Sequence, residues 1–321
     1  MRVLILGGTA WLGHAIAAAH VAAGHDVTCL ARGAGVPQGA SLLQADRDAG
    51  VAALDGATGE WDEIVDVTRI PAHAEAAAAA LADRARHWTL VSTISVYAAH
   101  DEPGADESAE LLEPLDDPAD YGRAKVAIEQ TMQRALNARL LVLRPGLIVG
   151  PGDPSDRYGS WAARAALAGD GPLLVPASDV AAQVIDVRDL ADAVLALGTR
   201  GVVGVRDAVG DATTLHALVD EIRSAAGHAG PVVHASDAEL ARVDVQPWAG
   251  PRSLALWLPA GHAGLGARAN AALRADGVAL RPTAETARDV VDDERARGVG
   301  RERASGIGRD DELAAIAALT G

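Results

Sequence analysis

Short runs without a polar side chain punctuate the first half of the chain, and alanine-rich stretches separate them. Val3-Leu4-Ile5-Leu6 is one such run, as expected of a parallel strand buried on both faces. A glycine turn and a helix over His14–Ala23, closed by Gly24, follow it. The alternation then repeats. Strands are expected at Asp26–Ala31, Leu42–Ala45 and Ile64–Val67, then a helix over Pro71–Arg86 with proline at its tolerated start. Strand Trp88–Val91, helix Ala119–Leu136 and strand Arg139–Arg144, ended by Pro145, complete the set. Strands alternating with helices predict an α/β protein: a doubly wound parallel sheet of the Rossmann type.

Past Pro151-Gly152-Asp153-Pro154, a border marked by turn residues, the pattern becomes less regular. A helix is expected over Arg157–Ala168. Gln183-Val184-Ile185-Asp186 reads as a return to the main sheet, with Asp186 capping a helix over Val187–Leu197. Helix Leu215–Ala226, strand Pro231–Ala235, a Gly/Pro-rich stretch over Pro247–Gly266 and a terminal helix over Glu312–Leu319 follow. The expected division is a dinucleotide-binding domain of residues 1–150 plus about 178–206, and a smaller C-terminal substrate region of 151–177 plus about 207–321.

Composition narrows the class. At 321 residues, 49% hydrophobic and 22% charged, the chain can bury a large core. A net charge of −16 speaks against nucleic acid and anionic membrane as partners. One cysteine, Cys29, leaves no intramolecular disulfide and suits a reducing compartment. With no leader-like start and no apolar run long enough to span a bilayer, a cytoplasmic protein is expected. The acidic loop Asp101–Asp120 has no accompanying histidine pattern, so it reads as a solvated lid and no metal is expected.

Candidate chemistry sits at the strand ends. Gly7-Gly8-Thr9-Ala10-Trp11-Leu12-Gly13 lies between strand and helix, the setting of a dinucleotide pyrophosphate site, although Ala10 stands where a glycine is usual. After the second strand comes Arg32 rather than an acid, which favours NADP over NAD without excluding NAD. Asp46 is placed to accept from an adenine amino group, and Arg47 to add to phosphate binding.

Lys125 is the sole lysine, the other 27 of the 28 basic residues being arginine, and Tyr121 precedes it by one helical turn. A phenol of ordinary pKa about 10 becomes a usable acid/base when a fixed cation favours its phenolate. Tyr97, Arg157, Tyr158 and Trp161 are candidate substrate contacts, each equally readable as packing.

Together, Gly7-Gly8-Thr9 through Gly13, Ser92-Thr93 with Val96-Tyr97, Tyr121–Lys125, Arg144-Pro145-Gly146 and Asp186–Leu190 resemble the short-chain dehydrogenase/reductase superfamily, in its extended and atypical, NAD-dependent epimerase/dehydratase form. The resemblance covers residues 1 to about 295. It implies that Tyr121 is the general acid/base, that Lys125 lowers its pKa and binds the nicotinamide ribose, and that Thr93 polarises the substrate oxygen. Dehydratases of this kind carry an Asp-Glu pair where Ile94 and Ser95 stand here, so dehydration is not expected. The reading is an NADP-linked oxidoreductase interconverting a carbonyl and an alcohol on a small molecule. A sugar-nucleotide epimerase with bound NAD is the alternative, and a non-catalytic cofactor sensor or RNA-binding relative a further one. The helix near Ala119–Leu136 often forms dimer interfaces in this superfamily, so a homodimer is an expectation by resemblance.

Overall fold

Seven parallel strands form the central sheet in a computed structural model that describes residues 1–259 and 261–321. They are β1 (Arg2–Leu6), β2 (Asp26–Ala31), β3 (Ser41–Gln44), β4 (Trp61–Asp66), β5 (Ala85–Val91), β6 (Leu140–Pro145) and the strand Gly204–Ala208. Their order is Gly204–Ala208, β6, β5, β4, β1, β2, β3. It reverses between β1 and β4, where such sheets open a crevice beyond the carboxyl ends of the strands.

Side-chain alternation builds the two layers around the sheet. Val3 and Ile5 pack on one face with Ile16 and Ala17 of α1 (Trp11–Ala22) and with Leu190 and Val194 of α5 (Val187–Thr199). Leu4 and Leu6 pack on the other with Ala74 and Ala77 of α2 (Pro71–Leu81) and with Ile128 and Met132 of α3 (Tyr121–Leu136). Val3, Leu4, Ile5 and Leu6 of β1 are all fully buried, so a run without polar residues is what this position demands.

Two expectations need correction. Val184–Asp186 does not return to the main sheet but pairs in parallel with Leu147–Val149. The place beside β6 belongs to Gly204–Ala208, whose Asp207 is wholly buried through bonds to Tyr97 and Arg268. Apolar periodicity cannot see a buried charge that its partners neutralise. The acidic loop is also no free lid. Gly104 N donates to Ala267 O (2.7 Å), Gly264 N to His100 O (2.8 Å) and Ala269 N to Ala105 O (3.0 Å), which ties it to 264–269.

A second core gathers Tyr158, Trp161, Leu218, Ile222, Val290 and Ile316 between α4 (Arg157–Ala168), α6 (Leu215–Ala226) and the helices Thr283–Arg297 and Arg309–Thr320. Helix Thr283–Arg297 was hidden by its charge, yet Thr286, Ala287, Val290, Val291 and Glu294 are its buried residues, at helical spacing.

Candidate active site

Two cavities open at the crevice, and Val67 borders both. The first, about 540 Å³, lies beyond the glycine turn. Gly7 adopts φ +106, and a Cβ there would come within 2.7 Å of Val67 Cγ2. A Cβ on Gly13 would sit 2.2 Å from Gly7 O, so only glycine lets the first turn of α1 press on the turn before it. Ala10 is exposed, lines the cavity beside Thr9 and has ordinary extended geometry (φ −80, ψ 158), so its methyl introduces no backbone strain.

The charged residues here divide into free and committed groups. Arg32 is exposed at the cavity, and its side chain pairs with no carboxylate among the described residues. Asp46 caps the following 3-10 turn by accepting from Asp48 N (3.1 Å) and lines the same cavity. Arg47 is committed. It donates to both Asp66 oxygens (2.7 and 3.0 Å) and to His73 O (2.7 Å), so its fork closes the fold and is not free for phosphate. Arg69, which sequence reasoning missed, lines the cavity from just past the end of β4. Its place at a strand's carboxyl end was the available signal.

The second cavity, about 360 Å³, brings together Trp11, Leu12, Thr93, Tyr121, Lys125 and Arg157. α3 starts at Tyr121, capped by Asp120, whose carboxylate accepts from Arg123 N (3.4 Å). Gly122 explains the contact behind it: a Cβ there would lie 2.4 Å from Ser95 O, so the helix seats directly on the turn that carries Thr93. The Thr93 hydroxyl accepts from Ser95 N (3.1 Å) and donates to Ser95 Oγ (3.2 Å).

Lys125 is buried, with Nζ donating to Thr68 O (2.6 Å) and Val91 O (2.7 Å). Two of the three ammonium donors are thus held, leaving one. Burial pushes its pKa down to about 8, against the pull of the Asp66 and Glu129 carboxylates.

Tyr121 keeps 43% of its surface accessible because it borders the open cavity, while desolvation raises its phenol above the ordinary range. The nearby Thr93 hydroxyl and the charges of Arg157 and Arg69 oppose that rise. Arg157 and Arg69 are thus cations that act on the phenol, while the Lys125 ammonium is anchored to backbone carbonyls.

Among the candidate substrate contacts only Arg157 reaches the cavity. Tyr97 is buried, donating to Asp207 (2.7 Å) and accepting from Arg144 (2.9 Å), with Arg268 over its ring (3.5 Å). Tyr158 is fully buried in the second core, and its hydroxyl has no partner among the described residues. Trp161 spends its indole N–H on Ala255 O (2.7 Å). Tyr158 and Trp161 stand three apart on a face of α4 that packs inward, while Arg157 begins the helix. Trp248, Leu256 and Leu258 complete the wall. No signal in the chain pointed to them, because a Gly/Pro-rich stretch has no period to read.

Comparison with known proteins agrees with this architecture. The NAD dependent epimerase/dehydratase family matches residues 3–208. A protein of Burkholderia cenocepacia J2315, provisionally named an epimerase, is similar at 22% identity and TM-score 0.70, over 92% of this chain and 98% of that one. UDP-N-acetylglucosamine 4-epimerase of Bacillus cereus is similar at 15% identity and TM-score 0.70, over 92% and 96%. UDP-glucose 4-epimerase of Thermus thermophilus, solved with NAD, is similar at 18% identity and TM-score 0.67, over 93% and 100%. These likenesses concern the fold. No curated protein matches the chain.

Proposed function

We propose that this chain, which belongs to the NAD dependent epimerase/dehydratase family, is a nicotinamide-dependent oxidoreductase that interconverts a small carbonyl compound and its alcohol. The observation that carries the reading is the convergence of Thr93, Tyr121 and Lys125 on one mainly apolar cavity of about 360 Å³ that adjoins the glycine turn.

The residues fit a dinucleotide. The Gly7–Gly13 turn leaves no room for a Cβ at either end, and the N-terminus of α1 suits a pyrophosphate. Ser92 lines the inner cavity, and its buried Oγ has no partner among the described residues. Trp11 and Leu12 would border the phosphates, Asp46 the adenine, and the spare Lys125 donor the ribose hydroxyls. A bound nicotinamide supplies or accepts the hydride. Tyr121 gives its phenolic proton to the carbonyl oxygen during reduction and recovers it from the alcohol during oxidation. The Thr93 hydroxyl holds that oxygen beside the phenol. The apolar walls exclude water.

Tyr121→Phe tests this. Turnover should fall by about 10²-fold or more, the range for losing a general acid, with cofactor affinity kept. Unchanged turnover would remove Tyr121 from the chemistry. NADP is the preferred dinucleotide, because Arg32 and Arg69 stand at the outer cavity with no paired carboxylate among the described residues. Arg32→Ala should weaken NADPH by about tenfold, the equivalent of ~1.4 kcal/mol, and NADH much less; equal losses would refute the assignment. The second reading, a sugar-nucleotide epimerase, draws on the epimerases of like fold. It calls for NAD that stays bound through purification.

A further inference from the structure

Arg157 is the one arginine lining the inner cavity among the described residues, and its terminal amines are unpaired. Its Nε donates to Ser155 Oγ (3.2 Å), while its two terminal amines have no hydrogen-bond acceptor and no paired carboxylate among the described residues. The Asp153 carboxylate, which also lines the cavity, accepts from Ser155 N and Oγ, both at 2.8 Å, and acts on Arg157 through its charge without forming a salt bridge to it. The guanidinium lies 5.0 Å from the centre of the Trp248 ring, within cation–π range. Trp248 (φ +68) and Leu256 (φ +67) both hold left-handed backbone that bulky side chains rarely adopt, and both face the cavity. Such strain persists where surrounding structure enforces it, and it clusters at ligand clamps.

We infer that the substrate of this site carries a single carboxylate bound by the free amines of Arg157, with its apolar body against Trp248, Leu256 and Leu258. The inference rests on the reading of this cavity as the substrate site. A guanidinium fork matches a carboxylate through two parallel hydrogen bonds, and the apolar wall strengthens them by excluding water. A diphosphate, as in a sugar nucleotide, would call for more cations than the one arginine here. Arg157 also acts on the Tyr121 phenol through its charge. A carboxylate that neutralises it leaves the phenol a firmer proton holder, which suits an acid that must stay protonated until the carbonyl is in place.

The test is a binding titration read by tryptophan fluorescence, since Trp11 and Trp248 both border the cavity. The probes are hexanoate, hexanamide of the same shape without charge, and pentyl phosphate, added to the full chain and to Arg157→Gln and Arg157→Lys. Hexanoate should bind about tenfold or more tighter than hexanamide, as expected for a charge-assisted pair. Arg157→Gln should erase the difference and Arg157→Lys retain part of it, with thermal melts confirming that both variants fold. Equal binding of acid and amide, or a preference that survives in Arg157→Gln, would overturn the inference. So would pentyl phosphate binding more tightly than hexanoate. None of these readouts needs turnover. Arg157-dependent hexanoate binding without Tyr121-dependent catalysis would sink the oxidoreductase reading alone, and the reverse result would sink only the carboxylate.

Discussion

Lys125 shows why one lysine stands among 27 arginines. Its Nζ fits between the carbonyls of Thr68 and Val91 at 2.6 and 2.7 Å, a buried slot that a wide guanidinium would not enter. The sequence pointed to this residue by rarity and to Tyr121 by spacing. It could not show that Arg157 and Arg69 also act on the phenol. A second buried group makes a different prediction. Glu63 is fully buried on β4, its carboxyl accepting from Thr89 (2.7 Å), and burial pushes its pKa up to about 8. Its neighbour His87 is pushed down to about 4, so neither is charged near neutrality and they form no ion pair. The folded chain keeps a proton on Glu63 that the unfolded chain releases near the ordinary value of 4.5. The contribution of Glu63 to stability should therefore fall as pH rises from 4.5 to 8 and level off above, while His87 contributes an opposite slope between about 4 and 6.5. Glu63→Gln removes that slope and should be more stable than the wild type at pH 9 by on the order of 3 kcal/mol. Urea midpoints across pH would show it, and parallel profiles for the two proteins would contradict it.

At the scale of elements, strands and helices were legible wherever burial repeats with a fixed period. Arg157–Ala168 and Leu215–Ala226 fall on their expected boundaries, and Asp186 caps α5 as expected by accepting from Arg188 N (2.9 Å). Elements built on paired charges were not legible. Gly204–Ala208 and Thr283–Arg297 each bury a carboxylate that arginines neutralise: Asp207 pairs with the distant Arg268, and Glu294 with Arg297, Arg301 and Arg303 just beyond it in the chain. The joint between α3 and the Thr93 turn was invisible as well, because it depends on what Gly122 lacks. Gly122→Ala would put a methyl 2.4 Å from Ser95 O and 2.9 Å from Leu112 Cδ1. The shift that relieves this contact moves Tyr121 relative to Thr93. Stability should drop by about 1–3 kcal/mol, the usual cost of overpacking. The turnover number should fall while cofactor affinity changes little. Full turnover in a folded Gly122→Ala would show that the joint does not position the site.

Across the whole molecule, the tail fastens the second core that supports the inner cavity's far wall. Glu312, near the start of the last helix, is fully buried and pairs with Arg164 of α4 and with Arg309 (2.7 Å), and it accepts from Leu174 N (2.9 Å). Removing one partner leaves a buried charge alone, so Glu312→Ala should cost about 3–5 kcal/mol. The change should lower the melting temperature without altering NADPH affinity, since the glycine turn lies elsewhere. An unshifted melt would mean that this pair adds nothing. The contacts of Glu312 with Arg164 and Leu174 join positions 138 or more residues apart, which single-sequence patterns do not encode.

The central claim is that the chain binds and exchanges a nicotinamide cofactor at the glycine turn to serve Tyr121. Fluorescence titration of the purified protein with NADPH and NADH, after absorbance has shown whether cofactor co-purifies, tests it most directly. The account expects exchangeable binding, with NADPH tighter than NADH by about tenfold or more, a difference of ~1.4 kcal/mol. NAD already locked in the protein would contradict it in favour of the epimerase, and binding of neither cofactor would remove the enzyme reading altogether.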